Sequence, residues 1–353
     1  CFRVRGNCLR LLTNFVAQSS FALEELCIDC KKWDELLFAV QKGYHQDNPY
    51  HMRLHAADVV HGAYWFCKVG ELWSLSLKGF TNVELFTVIF SAAIHDYDHP
   101  GVSNNFLIKT NDPLAILYND KAVLESHHIA AVFQLMQQSK YNIFKHTPAA
   151  TYSIVREAII HMVLATDMSQ HFVKLGLLKT KDEEWLKQEL SREDRLLIMS
   201  MVVHAADVSN PCRPLPLYLQ WTDKVIQEFF AQGDREKALG LPISPLMNRG
   251  TTNIARSQCG FIDVIIAPLY NAMSEIIPQM RECVAHMRYN KDFWSSMSVL
   301  SIREEEMRKG TQKLPPLPDD FAASAVLKVH MKLPRTRTQL RHKEKQRTLR
   351  DIH

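Results

Sequence analysis

Two stretches of this 353-residue chain carry side chains that bind cations or move protons: Tyr50-His51-Met52-Arg53-Leu54-His55 and His95-Asp96-Tyr97-Asp98-His99. The second closes an apolar run from Val83 to Ile94, so two imidazoles and two carboxylates are delivered to where a core is expected. Burying such charges without partners costs several kcal/mol. A divalent cation supplies the missing charge most simply, and a satisfied hydrogen-bond network at a helix end is the other reading.

His51 and His55 are four residues apart and Asp58 follows three later, so on a helix all three share a face. Asp58 is placed to orient a ligating imidazole through its second nitrogen. A third apolar helix, Met199 to Ala206, ends on Asp207. Together His55, His95, Asp96 and Asp207 offer two nitrogens and two oxygens, a set that suits Zn²⁺ and leaves positions for water. Asp96 has a second oxygen to bridge to a harder cation such as Mg²⁺. Two cations about 3.5–4 Å apart activate a shared hydroxide and neutralise a phosphate ester. The leaving alkoxide then needs a proton, and His51, one turn from His55, fits that role. His99, the run Leu124-Glu125-Ser126-His127-His128 and Thr166-Asp167 are candidates to orient waters around the metals. Taken singly, each reads equally well as a cap or surface residue.

The elements that must position these groups are helices. The chain has only 12 glycines, and alternating strand patterns are hard to find. Helical periodicity covers 9–18, 20–42, 54–69, 83–95, 121–138, 151–165, 192–206, 215–232, 253–277 and 279–288. Breakers stand between them at Asn48-Pro49, Pro100-Gly101, Asp112-Pro113, Asn210-Pro211 and Pro242 with Pro245. The fold class expected is all-α.

Leu314-Pro315-Pro316-Leu317-Pro318-Asp319-Asp320 reads as the end of the compact domain, giving a domain over 1–320 and a basic tail over 321–353. Residues 328–353 hold nine Lys and Arg against two Asp and Glu, which leaves the rest mildly acidic although the chain totals +4. The tail could touch an anionic membrane or nucleic acid; a solvated, disordered end with a short helix over Phe321–Leu333 is the other reading. No apolar run has the length expected to span a bilayer and no signal-peptide pattern opens the chain, so a cytoplasmic protein is expected. A start at Cys1 suggests a fragment of a longer protein. Cys27-x-x-Cys30 lacks the second pair that structural zinc would need. Without a Gly-rich phosphate loop, a bound phosphate must be held by metal.

The order His55, His95-Asp96, Asp207 resembles the HD metal-hydrolase superfamily. The surrounding text is more specific: Tyr50-His51, His55-Ala56-Ala57-Asp58-Val59, His95-Asp96-Tyr97-Asp98-His99-Pro100-Gly101, Tyr118-Asn119-Asp120, Leu124-Glu125-Ser126-His127-His128, Ala165-Thr166-Asp167-Met168, His204-Ala205-Ala206-Asp207-Val208-Ser209-Asn210-Pro211, Gln232-Gly233-Asp234 and Ser257-Gln258-Cys259-Gly260-Phe261-Ile262-Asp263. From about Tyr44 to Trp294 the chain is similar to the class I cyclic nucleotide phosphodiesterase catalytic domain.

That resemblance implies an all-α domain of about sixteen helices with a binuclear metal pocket, which hydrolyses 3′,5′-cyclic nucleotides to 5′-monophosphates. It implies Zn²⁺ on His55, His95, Asp96 and Asp207, Mg²⁺ or Mn²⁺ sharing Asp96, and His51 protonating O3′. His99, Glu125, Thr166 and Asp167 would order the second metal's waters, with His127 and His128 near the bridging hydroxide. The purine would meet Gln258 between Phe261 and Val225, in a pocket lined by Tyr50, Asn210 and Trp221. Without the family, Gln258 and Phe261 read as one face of an amphipathic helix. Met52 and Ser126 stand where the family usually has Asn, and neither is a ligand or the acid. The run Asp207-Val208-Ser209-Asn210-Pro211-Cys212-Arg213-Pro214-Leu215 is most like the cAMP-preferring branches, with cGMP a second substrate. The rivals are an HD-type nucleotidase or deoxynucleoside triphosphate hydrolase, and an inactive module that binds cyclic nucleotides.

Overall fold

The structure, a computed structural model, describes residues 6–68, 80–181, 185 and 188–308, with the side chains of 299–308 left out. Every described element is helical, as expected, with no strand among the described residues. The described residues up to Trp294 belong to one compact unit, and those over 295–308 to a second. The expected boundary at residue 320, the short helix over 321–333 and the basic tail lie outside the described residues.

Three helices build the frame. α1 (Cys8–Gln18), α2 (Ala22–Glu25) and α3 (Cys30–Gly43) lead to α4 (Arg53–Lys68), whose first turn carries His55. α5 (Asn82–Ile94) starts on a capping box, Thr81 Oγ1 accepting from Glu84 N at 3.2 Å and Glu84 Oε2 accepting from Thr81 N at 2.8 Å. Every residue of α5 from Leu85 to Ile94 is buried, so the helix runs through the core and delivers His95 at its end. Next come α6 (Asn104–Lys109), α7 (Pro113–Leu117), α8 (Val123–Leu135), α9 (Ala149–Leu164), α10 (His171–Lys179) and α11 (Arg192–Asp207), which ends on Asp207. α4, α5 and α11 pack on one another, with α1 against α4 and α5 and α9 against α5 and α11. The start of α4 meets the ends of α5 and α11, and small residues permit the approach. A Cβ on Gly62 of α4 would lie 3.3 Å from Ala206 Cβ.

α12 (Leu215–Ala238) walls the adjoining pocket. Its Gly233 is required by contact, since a Cβ there would fall 1.9 Å from the Met247 carbonyl oxygen. α13 (Ile254–Phe261) runs through a π-helical turn at Ile262–Ile266 into α14 (Ala267–Ile276), and α15 (Arg281–Arg308) follows. Pro268 lacks an N–H for an i→i−4 bond, and the extra residue is absorbed just before it, with Ala267 N donating to the Ile262 carbonyl. By length and composition Ile254–Ile276 could cross a membrane, at mean hydropathy 1.2. It packs Leu269, Tyr270 and Met273 into the core instead, as a core helix does.

The helix expected over 20–42 is split. Cys27 adopts a left-handed φ of 54° and Asp29 caps α3 by accepting from Lys32 N at 2.9 Å, a local bond that outcompetes helix continuation. α6, α7 and α10 were not expected, being too short or too interrupted to show a period.

Candidate metal centre and adjoining pocket

The four residues predicted to share a cation converge. His55 Nε2 lies 3.0 Å from Asp207 Oδ1 and 3.3 Å from Asp96 Oδ2. His95 Nε2 lies 3.1 Å from Asp96 Oδ2, 3.3 Å from Asp207 Oδ1 and 3.3 Å from His55 Nε2. A cation with bonds of about 2.0–2.2 Å holds neighbouring donors about 3.0–3.5 Å apart, so the set fits one ion. His95 Nδ1 donates to the Ala92 carbonyl at 2.9 Å, which leaves Nε2 available to a cation. Asp58 does not orient His55. Three residues further round α4, its carboxylate takes Arg213 Nη2 at 3.1 Å, and His55 Nδ1 is buried without a partner.

Burial disfavours charge on all four groups, and their mutual attraction overrides it. Asp96 and Asp207 are held well below the usual carboxylate range, and the imidazoles of His55 and His95 are pushed up by the same two carboxylates. Two buried carboxylates beside two imidazole nitrogens call for positive charge, which a divalent ion supplies.

Further acids and imidazoles surround Asp96. His128 Nε2 is 3.8 Å from Asp96 Oδ1, while its Nδ1 donates to the Tyr97 carbonyl at 2.6 Å. Burial pulls the His128 pKa down to about 4, so it stays neutral. His99, His128 and Asp96 form a second group whose donors lie within 4.8 Å of one another. Burial pushes the Glu125 carboxyl up to about 7 against two hydrogen bonds from Asn104, and the charges of Asp167 and Asp96 push it the same way. Thr166 donates to the Val163 carbonyl at 2.8 Å, and Asp167 accepts from Ser169 N at 2.8 Å as a helix cap. His127 is turned elsewhere: its Nε2 meets Asp98 Oδ2 at 2.8 Å, and His45 takes the other oxygen of Asp98 at 2.8 Å.

His51 stands beside the four donors and is held by Glu228 of α12. Glu228 accepts from Tyr50 N at 2.9 Å, from His51 N at 3.0 Å and from His51 Nδ1. The ring stacks on His99 at 3.9 Å between centroids. Burial pulls the His51 imidazolium down, but Glu228 and then Asp96 and Asp207 overcome it, leaving the pKa raised to about 9. The bond to Glu228 fixes Nδ1 and leaves Nε2 to carry a transferable proton. Sequence reasoning missed Glu228. Its signal is a carboxylate inside Val225-Ile226-Gln227-Glu228-Phe229-Phe230, and at 4% exposure it requires such partners.

A cavity of about 380 Å³ opens from this point, lined by Tyr50, His51, Asp207, Asn210, Val225, Gln258 and Phe261 together with Met168, Tyr218, Phe229 and Leu246. The expected lining is brought together with one exception. Trp221 is buried behind the wall, 5.8 Å from the Tyr50 ring and 6.1 Å from the His55 ring, and backs both. Asn210 Nδ2 donates to the Tyr50 hydroxyl at 2.5 Å. The Tyr218 hydroxyl, also missed, donates to Gln258 Oε1 at 2.6 Å. Tyr218 lies at the start of α12, where a tyrosine 1% exposed must find a hydrogen-bond partner.

A family model described as 3'5'-cyclic nucleotide phosphodiesterase matches residues 50–287. The chain is 42% identical over 267 residues to 3',5'-cyclic-AMP phosphodiesterase 4C of Mus musculus, covering 74% of this chain and 38% of that protein. It is 43% identical over 242 residues to the dual specificity calcium/calmodulin-dependent 3',5'-cyclic nucleotide phosphodiesterase 1B of Mus musculus, covering 68% and 43%. The chain therefore spans less than half the length of these relatives. Among solved structures it is similar to the phosphodiesterase domain of the RhoPDE fusion protein from the choanoflagellate Salpingoeca rosetta, with TM-score 0.76 and 27% identity over 84% of this chain and 92% of that one.

Proposed function

Because the chain belongs to the 3'5'-cyclic nucleotide phosphodiesterase family, we propose that it hydrolyses cAMP, and cGMP more slowly, to the 5′-monophosphate. The observation that carries this reading is the juxtaposition of four metal-binding side chains, a partnered His51 and a cavity ending at Gln258. Zn²⁺ on His55, His95, Asp96 and Asp207, with Mg²⁺ or Mn²⁺ sharing Asp96, would lower the pKa of the attacking water and neutralise the phosphate. His99, Glu125, Thr166, Asp167 and His128 are proposed to order water and second-metal contacts around Asp96, while His127 holds the neighbouring Asp98. His51 gives its Nε2 proton to O3′ as the P–O3′ bond breaks, and Glu228 holds its ring in place for that transfer. The water oxygen stays on phosphorus, and the water's proton returns the imidazole to its charged form.

The same carboxylate sets the pH range. With its pKa raised to about 9, His51 stays protonated through neutral pH and activity falls as pH rises past that value. Glu228→Gln removes the main raising charge while burial still lowers the pKa, so the alkaline limb of the pH–rate profile should move at least about one pH unit toward acid. An unmoved limb would remove His51 as the proton donor.

The purine is proposed to stack between Phe261 and Val225 and to hydrogen-bond Gln258, with Tyr50 and Asn210 beside it and Trp221 supporting Tyr50. An amide meets adenine or guanine in opposite orientations, and the Tyr218 hydroxyl favours one of them by donating to Oε1. Tyr218→Phe should cut the ratio of kcat/KM for cAMP over cGMP by about tenfold, the worth of one hydrogen bond.

Incubating the chain with cAMP, cGMP and dATP in Mg²⁺ or Mn²⁺ and separating the products tests the reading. Formation of 5′-AMP is expected. Release of triphosphate from dATP would favour an HD-type triphosphate hydrolase, and tight binding without turnover would favour a regulatory module.

A further inference from the structure

The segment from Asp207 to Pro214 has two faces. Asp207, Val208, Asn210 and Pro211 line the pocket described above, whereas Ser209, Cys212, Arg213 and Pro214 line a second cavity of about 170 Å³. α4 contributes His61, Trp65 and Phe66 to that cavity, and α15 contributes Glu282, Cys283 and His286.

Two polar groups in its wall have no partner. Arg213 uses Nη2, which donates to the carbonyl and the carboxylate of Asp58 at 3.2 and 3.1 Å, but its Nε is buried without an acceptor. The hydroxyl of Ser209, a residue 2% exposed, also lacks one. A buried donor left unmatched is destabilising, and two in the wall of one cavity point to an occupant that accepts hydrogen bonds. Both atoms are covered by their neighbours, so an occupant reaches them only as the Arg213 and Ser209 side chains rotate toward the cavity.

The remaining wall describes the occupant's other end. Trp65, Phe66, Pro214 and Tyr270 present rings, while His61 and His286 add nitrogen at the edge. Of the carboxylates nearby, Asp58 is turned to Arg213 and Glu282 sits exposed on the rim. An apolar wall with a few convergent donors is the make-up of a small-molecule site. We infer that this cavity binds a small aromatic carboxylic acid, its carboxylate on Arg213 and Ser209 and its ring against Trp65, Phe66 and Tyr270. The site stands independently of the reaction proposed above.

Phenylacetate and its neutral amide, titrated into the full chain and followed by ligand-observed NMR, test this. The acid should bind at least about tenfold more tightly than the amide, as a charge-assisted bond requires. His286→Glu, which places a negative charge on the rim, and Ser209→Ala should each weaken the acid by about fivefold or more, with circular dichroism checking the fold. Gln258→Ala, in the other pocket, should leave binding unchanged. Equal binding of acid and amide, no binding at about 10 mM, indifference to His286→Glu, or loss on Gln258→Ala would overturn the assignment.

Discussion

Asp207→Ala is expected to lose both the bound metal and the reaction. Asp207 Oδ1 lies within 3.3 Å of Nε2 of both His55 and His95, and it supplies one of only two carboxylates in the set. Without it, two imidazoles share a single acid, and a divalent cation keeps half its compensating charge. Turnover of cAMP should fall by about a thousandfold or more, and zinc measured by atomic absorption after dialysis should drop well below one per chain. Asp207→Asn separates charge from shape, keeping an oxygen in place while removing the negative charge, and should lose less zinc than Asp207→Ala. Full turnover with full zinc in Asp207→Ala would show that the ion is held elsewhere.

His51→Ala should give the opposite split. His51 is not among the four converging donors, and its Nδ1 is taken by Glu228. Zinc content should stay at the level of the unaltered chain while kcat for cAMP falls by about 10²–10⁴, the usual contribution of a general acid, with KM little changed. A p-nitrophenyl phosphodiester, whose leaving group departs without a proton, should recover most of the lost rate relative to cAMP. Equal losses on both substrates would assign His51 to phosphate binding.

The frame of this site was legible because the helices that carry it are long, apolar and cleanly ended. The period over 83–95 anticipates α5 at Asn82–Ile94, and the apolar stretch ending at Asp207 anticipates α11. The convergence of His55, His95, Asp96 and Asp207 was read from residue types and from the family resemblance together. What escaped was set by tertiary contact. Asp58 shares the helix face of His55, but Arg213, 155 residues later, captures its carboxylate. Glu228 and Tyr218 belong to an amphipathic helix whose partners, His51 and Gln258, are 177 and 40 residues distant. Short helices such as Pro113–Leu117 carry too few residues to show a period, and the π-turn at Ile262–Ile266 leaves no mark in polarity.

In the proposed reaction, water attacks the phosphorus of a 3′,5′-cyclic nucleotide while His51 releases O3′. Incubation with cAMP in ¹⁸O-labelled water, followed by mass spectrometry of the product, tests it most directly. The expected product is 5′-AMP carrying one labelled oxygen on its phosphate. A 3′-AMP product, label on the ribose, or recovery of intact cAMP from a chain loaded with zinc and magnesium would contradict it.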